Sequence, residues 1–102
     1  MHIITKKRIL EAKRRYPLSA CGLDGWYKIM ECNNFTDFGA LKMVFNSVDK
    51  VGPLYVFNIG GNKFRLIASI HFNRKKVYIR AILTHSQYDS NRWRTKHDFF
   101  IQ

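Results

Sequence analysis

The sequence predicts an α+β domain in which N-terminal helices pack on an antiparallel, twisted sheet. Two patterns carry that prediction. Apolar residues recur at helical spacing up to Phe45, and alternation of period two takes over from Tyr55. The two regimes are segregated along the chain rather than interleaved, which argues against βαβ units. With 102 residues, 46% of them hydrophobic and 15% aromatic, the chain is long enough for one modest core. A single domain over 1–102 is therefore expected.

His2-Ile3-Ile4 is a short β-branched run and predicts a brief strand that mixes into the sheet. Thr5 is placed to cap a helix over 6–16, which Pro17 closes. Ile9, Ala12 and Tyr16 form its apolar stripe with Leu10 beside it, and Lys6, Lys7, Arg8, Lys13, Arg14 and Arg15 fill the remainder. A second helix over 19–32 carries Leu23, Trp26, Tyr27 and Met30 on one stripe. Gly22 and Gly25 weaken it, at about 1 kcal/mol each relative to Ala. Thr36 or Asp37 caps a short third helix through Phe45, carrying Leu41, Val44 and Phe45. The stretch 46–53 reads as a connecting loop.

Three strands follow, joined by two tight turns. Tyr55, Phe57 and Ile59 share one face, as do Phe64, Leu66, Ala68, Ile70 and Phe72, then Val77, Ile79, Ala81 and Leu83. Gly60-Gly61 suits a two-residue hairpin turn, which pairs Phe57 with Phe64 and Val56 with Arg65. A turn around Arg74-Lys75 pairs Phe72 with Val77, Ser69 with Arg80 and Arg65 with Thr84. Lys63, Arg65, Ser69 and Arg80 then occupy the face opposite the main apolar one, together with Ile67 and Ile82. Trp93, Phe99 and Phe100 predict that the tail docks on the domain.

Eighteen Lys and Arg stand against seven Asp and Glu, a formal net charge of +11. That balance draws the chain to polyanions, nucleic acid first, with an acidic protein or an anionic surface as the other options. No apolar run approaches the roughly 18 residues of a membrane span, and the basic N-terminus lacks a signal-peptide apolar stretch. A cytoplasmic location follows as the expectation. Cys21 and Cys32 have no zinc-ligand spacing, so they are expected to be buried or half-buried thiols in a reducing compartment. No metal and no cofactor are expected.

The residue types on the polar face suit cleavage of RNA without a metal. That reaction needs a base for the 2′-hydroxyl, cations for the phosphorane and an acid for the leaving 5′-oxygen. Arg65 and Arg80 are fixed donors for phosphate oxygens, and Lys63 adds a point charge at the edge of the same face. His85 supplies an imidazole, the side-chain type suited to giving or taking a proton in catalysis. Tyr88 would share a helical turn with it, to stack on a base or join the proton transfer, and Asp89 would orient His85 or act as a base. His71 lies near the distal turn and is expected to contact RNA only. Each has a plainer role available: a hydrogen-bonded strand-end histidine, a hydrophobic plug, a turn cap.

The opening MHIITKKRILEAKRRYP, the hairpin YVFNIGGNKFRLIASIHF and the closing YIRAILTHSQYD together resemble the HigB family of bacterial toxins, within the RelE-like superfamily of type II toxin–antitoxin systems. The resemblance spans nearly the whole chain. It implies a small RelE-like domain and a ribosome-dependent mRNA endonuclease that acts in the ribosomal A site through the 2′-hydroxyl and arrests translation. It also implies a HigA-like helix-turn-helix antitoxin as partner. By position, Arg65 matches the family's phosphate-contacting arginine, Lys63 a basic position before it, and His85 and Tyr88 the C-terminal catalytic cluster, with Asp89 beside them. The basic first helix, through Lys6, Lys7, Lys13 and Arg14, is expected to grip ribosomal RNA. The alternative class is a basic RNA- or DNA-binding module without catalysis, and a further one is a structural partner for an acidic protein.

Overall fold

A computed structural model describes residues 1–4, 6–61 and 63–89. In chain order the elements are β1 His2–Ile4, α1 Lys6–Arg15, a single 3-10 turn Pro17–Ser19, α2 Ala20–Cys32, α3 Phe38–Val44, β2 Asp49–Val51, β3 Leu54–Ile59, β4 Phe64–His71, β5 Lys76–Thr84 and α4 His85–Asp89. The strands form one sheet in the order β1-β5-β4-β3-β2. β1 runs parallel to β5, and all the other pairs are antiparallel. This is the expected α+β architecture with a short parallel N-terminal strand.

The helices form where the apolar stripes lie. Ile9 and Ala12 of α1, and Leu23, Trp26 and Met30 of α2, are all buried on one face of the sheet. There Trp26 meets Phe57 edge-on with centroids 5.5 Å apart, and Phe45 meets the same ring at 5.1 Å. Burial beside Phe38 and Phe72, whose ring centres each lie 5.7 Å from its own, pushes the Tyr55 phenol above its ordinary value. α2 lies so close to the β3–β4 turn that a Cβ on Gly22 would sit 2.8 Å from Ile59 Cγ2 and 2.9 Å from the Gly60 backbone nitrogen. The glycine that weakens the helix is therefore what lets it dock. Asp37 caps α3, its carboxylate accepting from Ala40 N–H at 2.8 Å. The Thr5 cap and the tail with Trp93, Phe99 and Phe100 lie outside the described residues.

Several expectations need correction. The stretch 46–53 is not only a loop, because Asp49–Val51 pairs with β3 as an edge strand. Three residues, two of them charged and exposed, carry too little alternation to be seen in the sequence. In the first hairpin Ile59 pairs with Phe64 and Asn58 with Arg65, so the turn is four residues long, with Gly60 and Gly61 both at positive φ. The shift is by two positions, which keeps each side chain on its expected face.

The second hairpin departs further. Ile70 pairs with Val77 and Ser69 with Tyr78, and a bulge then follows in which Arg80 has no partner on β4. One extra residue reverses the alternation of everything after it. Ile82 therefore packs toward the helix-side core, and Leu83 turns to the opposite face, where it stands across from Arg65. That second face is not an open cationic surface. Its centre is a small core of Leu54, Val56 and Ile67, with Ser69 also buried. Cys21 and Cys32 are exposed and unpaired rather than buried.

Candidate active site

The candidate site stands where β4 begins and β5 ends. Phe64 pairs with Thr84 and Arg65 with Leu83, which brings α4 beside the start of β4. The His85 N–H donates to the Lys63 carbonyl at 3.0 Å, tying α4 to the mouth of the first hairpin. Arg65 is half-buried. Its Nη1 donates to the Phe64 carbonyl at 3.2 Å, and its guanidinium carbon lies 5.6 Å from the centre of the Tyr88 ring. Tyr88 in turn packs on the Leu54–Val56–Ile67 cluster, so the small second core seats the ring that carries the arginine. His85 Nδ1 lies 2.7 Å from Asp89 Oδ2, one helical turn away. A carboxylate on Nδ1 fixes the proton there and leaves Nε2 as the nitrogen that exchanges protons with a ligand.

Lys63, Arg65, His85, Tyr88 and Asp89 are thus brought to one corner of the molecule. The other residues expected to touch RNA stand elsewhere. His71 is at the far end of β4, six residues from Arg65 and about 20 Å away at about 3.3 Å per residue, with its ring edge-on to Tyr78 at 5.4 Å. Arg80 sits at the bulge, half-buried, with a buried Nε that finds no hydrogen-bond partner among the described residues. On α1, Lys7 lies 4.0 Å from Glu11, Lys13 bonds Asp24 at 2.8 Å, and Lys6 stands 4.9 Å over the Tyr27 ring. Arg14 is exposed. This helix faces away from Tyr88, since Ile9 and Ala12 bury in the core on the sheet's other side. No group of three His, Cys, Asp or Glu able to hold a metal occurs among the described residues.

A family model described as the RelE-like toxic component of a toxin–antitoxin system, the HigB toxin, matches residues 19–91. The chain belongs to the HigB toxin family. The matched span takes in every strand of the sheet but β1, and all of α4. The mRNA interferase toxin HigB of Escherichia coli (strain K12) is 38% identical over 92 residues, covering 87% of this chain and 88% of that protein. The mRNA interferase HigB of Shigella flexneri matches over the same shares at 38%. The mRNA interferase HigB of Escherichia coli O6:H1 is 33% identical over 92 residues, covering 87% of this chain and 89% of its own.

One feature of this HigB-family corner goes beyond the residues expected to act there, although its signal is present in the sequence. Thr84 and Gln87 form a reciprocal cap: the Thr84 N–H donates to Gln87 Oε1 at 3.0 Å, and the Gln87 N–H donates to Thr84 Oγ1 at 3.2 Å. Thr-x-x-Gln is the sequence signature of such a capping box. A five-residue helix cannot hold itself in water, so the cap and the Tyr88 packing keep His85 in place. Thr84→Ala is expected to cost about 1 kcal/mol of stability. It should also raise the amide exchange rates of α4 selectively. Unchanged exchange in α4 would show that the cap does not order the helix.

Proposed function

We propose that this chain is an mRNA interferase: it cuts messenger RNA on the translating ribosome, in the cytoplasm, and is neutralised by a HigA-like antitoxin. The observation that carries this is the convergence of a guanidinium, an aspartate-held imidazole and a phenol at one corner. Three separate parts of the chain supply or position them. In the proposed reaction the 2′-hydroxyl loses its proton and its oxygen attacks the adjacent phosphorus. The bond to the 5′-oxygen breaks, and that oxygen takes up a proton. The ends are a 2′,3′-cyclic phosphate and a 5′-hydroxyl, with no water consumed.

His85, presented through Nε2 and oriented by Asp89, serves the proton transfer. Arg65 gives guanidinium donors to the phosphorane oxygens as negative charge builds on them. Tyr88 holds the arginine from below and presents an aromatic edge to a base. Lys63, exposed at the rim, adds charge that draws the strand in. Arg80, Lys6, Lys7, Lys13, Arg14 and His71 lie outside this corner, so their contribution is to attraction and grip rather than to bond breaking.

The test is to express the protein alone in growing cells and map the 5′ ends of its messages. Growth arrest with new 5′-hydroxyl ends inside coding regions is expected, and co-expression of the antitoxin should abolish both. Arrest without new ends would favour a nucleic-acid-binding module that blocks translation without cutting. Normal growth with intact messages would remove the nuclease reading altogether.

A further inference from the structure

The end of the sheet remote from the candidate active site holds an open hollow of about 840 Å³. It lies between the α2–α3 connection and the β4–β5 turn, with Asn34 and Phe35 on one side and Phe72, Asn73 and Lys75 on the other. We propose that this hollow is a second binding site, for a nucleotide of single-stranded RNA. The proposal rests on the reading of the chain as an RNA-cutting protein and adds a grip that the cutting corner does not supply.

The chemistry of the lining favours a nucleotide. Phe72 is half-buried and fixed edge-on against Tyr55 at 5.7 Å, giving the hollow a rigid aromatic wall. Asn34 and Asn73 are exposed amides, each able to donate and accept, as the edge of an unpaired base requires. Lys75 lines the hollow and offers a cation to a phosphate, with Arg74 and Lys76 as its neighbours in the chain. No lining residue is acidic among those described. The volume falls in the range of small-ligand sites, about 300–1,000 Å³. An acidic protein would be served by the cations alone and would leave the paired amides without a use.

Lys75 supplies an independent pointer. Its φ is 57°, and it is the one described non-glycine residue in the left-handed region. An L-residue there costs about 1–2 kcal/mol, which Gly avoids and Asn tolerates. A turn built for stability alone would carry one of those. A lysine held at this cost, on the rim of the hollow, points to its charge as the reason.

The substitution Lys75→Gly removes the charge and relieves the backbone at the same time, and an unchanged melting temperature of the full variant separates lost binding from lost folding. The full chain carrying Lys75→Gly and Asn73→Ala, in a His85→Ala background expected to cut slowly, is titrated with a single-stranded RNA oligonucleotide. The RNA is expected to bind about tenfold more weakly than to His85→Ala alone. Its salt slope should fall by about 0.7, as expected when one fewer phosphate of a single strand is neutralised. Unchanged affinity and slope would overturn the proposal. So would backbone amide signals of the hollow that shift with a polyglutamate peptide and not with RNA, which would make an acidic protein the occupant. Cleavage by the same double variant with His85 intact separates this site from the nuclease reading. Raised KM with kcat retained supports the second site, whereas a wild-type chain that binds RNA here and never cuts sinks the nuclease reading alone.

Discussion

His85→Ala is expected to lower the rate of message cleavage by a factor of about 10² to 10⁴, the span that a positioned proton-transfer group supplies. Its effect on stability should be close to zero. The side chains of His85 and Asp89 are 51% and 58% exposed, so their contact is of the surface kind, contributing at most about 1 kcal/mol. The backbone N–H of residue 85, which holds α4 to Lys63, survives the substitution. A variant that melts like the wild type and yet fails to cut is the signature of a chemical role. Asp89→Asn should lose less than His85→Ala, because it removes the orienting acceptor and leaves the imidazole. Primer extension on messages in a reconstituted translating system reads both. If His85→Ala cuts as fast as wild type, the proton transfer belongs to another group.

Much of this corner is legible in the sequence because alternation in a strand survives small errors of register. Arg65 stands at the start of its expected strand with Lys63 just before it, and His85, Tyr88 and Asp89 do form one turn of helix beside it. The two-residue slip in the first hairpin changes the partner of Arg65 from Val56 to Asn58 and moves nothing to the other face. The bulge at Arg80 is not legible, since an inserted residue in a run of apolar side chains leaves no mark on a pattern that reads plausibly either way. It has a structural consequence. By sending Leu83 rather than Ile82 to the second face, it completes the cluster on which Tyr88 rests. β2 escapes for a different reason, being an edge strand too short and too polar to show a period. The role of Tyr88 as a seat for Arg65 depends on packing across three strands, which spacing along the chain does not encode.

That seating makes Arg65 the second place where a large effect is expected. Arg65→Ala should reduce cleavage by about 10² to 10³, the usual consequence of removing one preorganised donor to a developing oxyanion. Arg65→Lys should recover little of it. A lysine keeps the charge, but it has no planar fork to bridge two phosphate oxygens and stacks less well on an aromatic face. Tyr88 then separates two ways of using the ring. If the phenol takes part in proton transfer, Tyr88→Phe will lose activity nearly as Tyr88→Ala does. If the ring only seats the guanidinium, Phe will be close to wild type and Ala will fall. The 5.6 Å approach of the guanidinium and the packing on Leu54, Val56 and Ile67 favour the second outcome. A double-mutant cycle decides it: with the ring acting through the arginine, Tyr88→Ala should cost far less once Arg65 is already alanine. Fully additive losses would mean that the two side chains act separately, and the arginine would then owe its position to the Phe64 carbonyl and its own strand.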